Sequence, residues 1–311
     1  MSVYGVSVEA GSAPECIDWI QKAEARGVQA AWTNMGAAGP VDMMPVLAAA
    51  GAQTERILLG NAIVHTWSRQ PAVFAEEALA IEQLAPGRYR LGIGPSTAFF
   101  VERMYGASYS KPLTNLREYL TTVRALVNEG SVKFEGEHVS LRWRLLGEPT
   151  PLPVMASALR PKSYSLCGEL ADGAISWMSP LKYLSEVALP ALQEGAEKAG
   201  RDTPPLVAHV PVAVTTDREE AFNRAREQVG YYAEVPNYQG MFNMAGYDVS
   251  GGYTDEMLED LVVWGTEDEV VDKLKNWTAA GMSEVIASTL YGPDRAESIE
   301  SVFAAVARAS R

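Results

Sequence analysis

The chain has 311 residues, 47% hydrophobic and 21% charged, which predicts a globular protein with material for one large α/β domain. Its 39 acidic and 26 basic side chains leave a net charge of −13. Without a concentrated basic patch, such a surface argues against nucleic acid or anionic membrane as a partner. Cys16 and Cys167 are far apart, and His65, His138 and His209 lack metal-ligand spacing, so neither a disulfide nor a metal site is expected. The opening MSVYGVSVEAG lacks a signal-peptide pattern, and no apolar run reaches the roughly 18 residues of a membrane span, so a cytoplasmic protein is expected.

Along the chain, strand and helix signals alternate. Residues 3–8 are β-branched and apolar. Ser12 opens a helix that Gly27 closes. Residues 28–33 predict a second strand, 43–54 a short helix behind Asp42, and 57–64 a third strand centred on LLGNAIV. Pro71 starts the next helix, to residue 85. Residues 89–93 predict the fourth strand, inside GRYRLGIGPS at 87–96. There an apolar strand runs into Gly94-Pro95-Ser96, a turn where backbone can approach a ligand closely.

The rhythm then slows. Residues 99–111 are polar and aromatic. Residues 116–129 place Leu116, Leu120, Val123, Leu126 and Val127 on one helical face, and 132–144 predict a hairpin turning at Glu135-Gly136. An insertion is therefore expected at about 97–150. Strands follow at 153–158, 173–178, 206–215 and 283–288. The helices between and after them lie at 162–170, 181–200, 218–233, 267–280 and 294–309. A second insertion is expected at about 236–262. Eight strand–helix units predict a (β/α)8 TIM barrel forming a single domain over 1–311, with a doubly wound sheet as the alternative.

Barrel chemistry sits at the carboxyl ends of the strands. Those ends read Thr33-Asn34-Met35, Ile63-Val64-His65-Thr66-Trp67, Gly94-Pro95-Ser96-Thr97, Ala156-Ser157-Ala158-Leu159, Trp177-Met178-Ser179-Pro180 and Ser288-Thr289-Leu290-Tyr291, with His209 inside the seventh strand. This rim lacks a glycosidase carboxylate pair, a Ser/His/Asp set and an inner lysine. Small, hydroxylic and aromatic residues suit a large planar ligand of flavin type. Arg160 and Lys162 open the helix after the fifth strand, where phosphate binds readily, or they are ordinary surface charge. His65 reads either as a proton donor beside a ring or as a rim histidine without a role.

Three stretches, at 59–96, at 101–126 (VERMYGASYSKPLTNLREYLTTVRAL) and at 169–180 (ELADGAISWMSP), resemble the luciferase-like monooxygenase superfamily, within it the deazaflavin-dependent branch. The resemblance covers nearly the whole chain. It implies a barrel, a homodimer, and one ring cofactor at the carboxyl end, over a non-prolyl cis peptide that falls here at Ala62–Ile63. Ring contacts are then expected from Thr33, Asn34, Asn61, Ala62, Ile63, Val64, Gly94, Pro95 and Ser96. Phosphate contacts are expected from Ala156, Ser157, Ala158, Leu159, Arg160 and Lys162. Relatives of this branch often carry histidine where this chain has Thr97, which removes one proton-transfer group and leaves His65 or Ser96 as the catalytic candidates.

The cofactor expected from this resemblance is coenzyme F(420), an 8-hydroxy-5-deazaflavin, with FMN as the alternative. The expected reaction is hydride transfer to or from a small hydrophobic or ring-bearing substrate, in a pocket formed by Trp67, Thr97, Phe99, Phe100, Trp177 and Met178. Alternatives are an FMN-dependent monooxygenase, a non-catalytic flavin- or deazaflavin-binding protein, and an unrelated barrel enzyme such as an aldolase or isomerase, against which the missing lysine and carboxylate pair argue.

Overall fold

In the computed structural model, which describes residues 2–35 and 39–311, eight parallel strands close on themselves. They are β1 (Val3–Ser7), β2 (Ala30–Thr33), β3 (Leu58–Asn61), β4 (Tyr89–Gly94), β5 (Val154–Ser157), β6 (Ala174–Trp177), β7 (Leu206–Val214) and β8 (Glu284–Thr289). Each pairs in parallel with the next, and β8 pairs with both β7 and β1, which completes the ring. The fold is therefore an α/β TIM barrel. The helix starts follow the caps legible in the sequence. The Ser12 hydroxyl accepts from the Glu15 amide, Gly27 ends that helix at φ 87°, and Thr266 with Glu269 forms a capping box.

Side chains alternate across each strand, so the barrel has two cores. Ala30, Trp32, Met155, Ile175, Val207 and Ile286 fill the lumen, whereas their strand neighbours join the larger cluster between sheet and helices. Lower in the lumen, Trp32 Nε1 donates to Glu284 Oε1 at 2.7 Å, and the Arg90 guanidinium forks onto the same carboxylate while lying 4.5 Å over the Trp32 ring. Both charges are nearly buried. Breaking such a pair by deleting one partner typically costs about 3–5 kcal/mol, because the other charge is left uncompensated.

The structure departs from the sequence reading in detail. The third strand stops at Asn61 and resumes as Val64–His65, which pairs with β4. The stretch 99–111 contains a helix, Ala98–Met104, and the amphipathic helix begins earlier than expected, at Pro112, running to Glu129. The second insertion is mostly helical, Pro236–Met244 and Asp255–Leu261, and ends in a short strand, Val263–Gly265, beside β7. Among the described residues, no helix is long and apolar enough to cross a membrane.

The hairpin of the first insertion, Ser131–Glu135 paired with Ser140–Arg144, is pinned by a single side chain. The buried Glu118 carboxylate accepts from the backbone N–H groups of Glu137, His138 and Val139 at 2.7–2.8 Å. Burial pushes its pKa up, but these three donors outweigh that and hold it below the ordinary carboxylate value. A depressed carboxylate pKa stabilises the fold above the unfolded value of about 4.3, and the contribution is lost as pH falls through the lower folded value. Glu118→Gln should therefore cost about 1–3 kcal/mol at neutral pH. It should also raise hydrogen exchange in residues 131–144, and the stability gap should narrow in denaturant titrations repeated below about pH 4.

Candidate active site

The mouth of the barrel is shaped where β3 breaks. Asn61 is held from the side: Tyr89 Oη donates to Asn61 Oδ1 at 2.7 Å, and Asn61 Nδ2 donates to the Gly92 carbonyl. Its side chain is thus used by β4, and only its backbone borders the mouth. The Ala62 N–H donates to Thr33 O at 2.7 Å, and the Ala62–Ile63 peptide is cis. The chain bulges inward before Val64 and His65 rejoin β4 opposite Ile93 and Gly94. Gly92 and Gly94 make room for this. A Cβ on Gly94 would lie 2.8 Å from Ile63 Cδ1 and would collide with Ser157 Oγ; a Cβ on Gly92 would lie 2.8 Å from Ile175 Cδ1 and would overlap the Asn61 carbonyl.

Two non-glycine residues at the mouth adopt left-handed backbone, Ser96 after β4 (φ 59°) and Met178 after β6 (φ 48°). Such conformations are held by their surroundings and gather at ligand sites. The Ser96 carbonyl accepts from Tyr109 Oη at 2.8 Å. Thr97 stands at the N-cap of Ala98–Met104 but makes no capping bond with its side chain.

His65 is buried, with Nδ1 3.2 Å from Tyr105 Oη and its ring 6.4 Å from that of Phe100, which in turn packs on Phe99. Burial pushes its pKa down to about 4, so the imidazole is neutral at physiological pH. Across the mouth, Trp177 lies 5.2 Å from the ring of His209 and 6.4 Å from that of Tyr232, which stacks between Tyr231 and Tyr238. His209 Nδ1 contacts the Ser176 carbonyl at 3.2 Å, which makes Nδ1 the protonated nitrogen and leaves Nε2 as an acceptor. Its pKa also falls to about 4 through burial, against the opposing pull of that hydrogen bond. His209 Nε2, Trp177 Nε1 and Ser288 Oγ are buried without hydrogen-bond partners.

After β5, the Ser163 hydroxyl accepts from the Leu159 and Arg160 amides, both at 3.0 Å, and this sets the start of the helix Pro161–Leu170. The Arg160 guanidinium lies over Gly240, where a Cβ would come within 2.9 Å of Cζ. Arg160 Nε has no partner, and among the described residues neither Arg160 nor Lys162 meets a carboxylate within ion-pair distance.

The expected residues therefore divide into groups. Thr33, Asn34, the 61–65 bulge and Gly94 to Ser96 gather on one side of the mouth; Phe100 lies by His65 with Phe99 packed on it; Trp177 and Met178 lie opposite; Ala156 to Lys162 form the β5 end. Trp67 lies 5.4 Å from the ring of His138 and 6.0 Å from that of Tyr109, whose hydroxyl donates to Ser96 O, and it lines a cavity of about 350 Å³ with Arg69, Asn115 and Tyr119. One residue escaped the sequence reading. Glu9, two residues beyond β1, accepts from Asn34 Nδ2 at 3.1 Å and faces Tyr291 Oη at 3.5 Å. The signal open to a sequence reading was period-two alternation, which puts Glu9 on the same face as the inward-facing Gly5 and as Ser7. Among the described residues, no group of acidic, histidine or cysteine side chains could hold a metal.

Residues 3–284 match the family model described as luciferase-like monooxygenase. The chain belongs to this family. The luciferase-like chain is 30% identical over 282 residues to a 5,10-methylenetetrahydromethanopterin reductase of Archaeoglobus fulgidus, with 83% of each chain covered. Its fold is similar to that of an F(420)-dependent secondary alcohol dehydrogenase in complex with an F(420)-acetone adduct (TM-score 0.83, 20% identity, 100% of this chain and 99% of that one). It is also similar to the FMN-complexed oxygenating constituent of 3,6-diketocamphane monooxygenase from Pseudomonas putida (TM-score 0.74, 19% identity, 99% and 98%). At these identities the structural likeness shows the shared barrel.

The low imidazole pKa values give a direct check. In a histidine NMR titration of this luciferase-like protein, His65 and His209 should each titrate near pH 4, and a value near 6.5 for either would contradict the burial described. Because the unfolded chain takes up those protons near pH 6.5, stability should fall as pH drops from there toward 4.

Proposed function

We propose that the chain is a coenzyme F(420)-dependent oxidoreductase whose reaction is hydride transfer between the cofactor ring and an organic substrate. The observation that carries this reading is the bulge at the mouth, where Ile63 packs into the space left by the missing Gly94 side chain while Ala62 and Ile63 stay half-exposed. Two further features fit the same group. The mouth holds unpartnered polar atoms on Trp177, His209 and Ser288, and Arg160 and Lys162 offer positive charge without carboxylate partners at the β5 end. A Mycobacterium tuberculosis chain described as a coenzyme F(420)-dependent oxidoreductase, 28% identical with 76% of this chain and 80% of that one covered, supports the deazaflavin over FMN.

Coenzyme F(420), when bound, supplies a ring carbon that gives or takes a hydride. The protein's part is placement and proton handling. Ile63 and the backbone of the 61–65 bulge support one ring face, and Gly94 to Ser96 line its edge. Arg160 and Lys162 hold the phosphate. His65, neutral at working pH, shares a proton with Tyr105 Oη and is positioned to hold or pass it beside the reacting centre. Phe99 and Phe100, with 59% and 45% of their surface exposed, and Trp177 opposite leave an aromatic-walled space for a hydrophobic or ring-bearing substrate. An FMN-dependent monooxygenase is the second reading, favoured by the FMN-bound structure of similar fold.

Arg160→Ala should weaken binding of coenzyme F(420) by about tenfold or more, the usual scale for one charge-assisted contact, while leaving the phosphate-free deazaflavin ribitol unchanged. Quenching of deazaflavin fluorescence reads both. Equal losses would remove the phosphate from this position. With reduced coenzyme and a substrate panel, turnover should restore deazaflavin absorbance without oxygen uptake; substrate-dependent formation of an oxygenated product with reduced FMN would support the second reading.

A further inference from the structure

The cofactor reading leaves the carboxylate of Glu9 unused. It is half-buried at the mouth between the ends of β8, β1 and β2. A carboxylate accepts about four hydrogen bonds, and this one receives Asn34 Nδ2 at 3.1 Å and a long contact from Tyr291 Oη at 3.5 Å. Arg295 stacks 3.8 Å over the Tyr291 ring, yet its guanidinium donates to the Glu9 backbone carbonyl (3.0 Å) and to Tyr291 Oη (3.2 Å), not to the carboxylate. Among the described residues, no cation is paired directly with Glu9.

Beside this charge runs a wall of aromatic rings. Tyr231, 56% exposed, stacks on Tyr232 at 4.1 Å, Tyr232 on Tyr238 at 4.5 Å, and Tyr232 meets Trp177. The Gln228 side chain, three residues before Tyr231, holds the Tyr291 backbone at 2.7 and 2.9 Å, and Tyr291 Oη reaches Glu9, so the tyrosine wall and the carboxylate share one side of the mouth. Asn34, which donates to Glu9, is followed by Met35, whose Sδ lies 3.4 Å from Tyr105 Oη; Met35 and Phe100 are both substantially exposed. The mouth thus sets a carboxylate among exposed aromatic side chains. Aromatic faces and a carboxylate both attract an ammonium or an N–H donor, and both disfavour an anion.

We propose that Glu9 anchors the substrate, and that the substrate class is a ring-bearing organic molecule presenting an ammonium or N–H donor. The inference rests on the barrel mouth being the substrate site of the proposed oxidoreductase. Glu9 here is a positioning and specificity residue, set apart from the proton-handling pair of His65 and Tyr105.

Three probes of one shape and different charge test it: benzylammonium, benzyl alcohol and benzoate, measured by calorimetry on the protein with and without coenzyme F(420). The wild-type protein should bind them in that order. Glu9→Gln should lower benzylammonium affinity about tenfold, strengthen benzoate, and leave both benzyl alcohol and coenzyme F(420) within about twofold. Glutamine preserves one acceptor for Asn34 or Tyr291, so a merely structural role predicts equal losses for all three probes with a lowered melting temperature, and that result would overturn the proposal. Benzoate binding as well as benzylammonium in the wild type would overturn it too. If coenzyme F(420) does not bind, the cofactor reading fails, while the order of the probes on the coenzyme-free protein still decides the role of Glu9.

Discussion

The shape of the barrel mouth depends on the missing side chains at Gly92 and Gly94. These positions face inward from β4, where β3 must bend and Ile63 must enter. Had either carried a Cβ, it would meet the Asn61 carbonyl or Ser157 together with an isoleucine methyl, and neither backbone nor packed side chain can yield cheaply in a core at crystal-like density. Asn61 completes the device. Its amide ties the end of β3 to the Gly92 backbone, with Tyr89 bracing it from the same strand. The bulge, the return of Val64 and His65 to β4 and the left-handed turn at Ser96 are all arranged around that contact.

Charge is distributed with the same economy. The protein is strongly acidic, and most of its arginines are matched: Arg90 to Glu284 in the lumen, Arg69 to Asp42 and Glu77, Arg117 to Glu169, Arg124 to Asp172. Arg160 and Lys162 depart from this pattern, and they stand together at the carboxyl end of β5. An unmatched guanidinium at the edge of a cleft in an acidic protein concentrates positive potential where an anionic group can use it. At the other side of the mouth, Glu9 is the converse case, a carboxylate whose nearest guanidinium is directed to backbone and to a phenol. The two ends of the mouth therefore differ in sign. A cofactor phosphate near β5 and a donor-bearing substrate near β1 are the ligands such a field would sort.

Much of this was legible in the sequence, because the relevant signals are local. The strand–helix alternation gave the barrel, GRYRLGIGPS marked the β4 turn, and the caps at Ser12, Gly27 and Thr266 lie where the residue types place them. Features that depend on distant partners were not legible. The hairpin turn is held by Glu118 from a helix about twenty residues earlier, and nothing in the local pattern announces three amides converging on one carboxylate. Trp67 comes directly after a mouth strand and packs on both Tyr109 and His138, the latter because the hairpin brings that ring to it. Helix Ala98–Met104 lies in a stretch whose exposed Phe99, Phe100 and Met104 obscure the usual apolar stripe. Glu9 was hidden for the opposite reason: it ends an apolar strand as an ordinary acidic residue, and only the closure of β8 onto β1 brings Tyr291 and Arg295 beside it.

The oxidoreductase reading of this mouth turns on its fit to a deazaflavin. Fluorescence titration of the purified protein with coenzyme F(420) and, separately, with FMN measures that fit. A mouth built for a deazaflavin should give saturable, tight quenching with coenzyme F(420) and weak or no binding of FMN. Tight binding of FMN with none of coenzyme F(420) would contradict it and assign the mouth to a flavin.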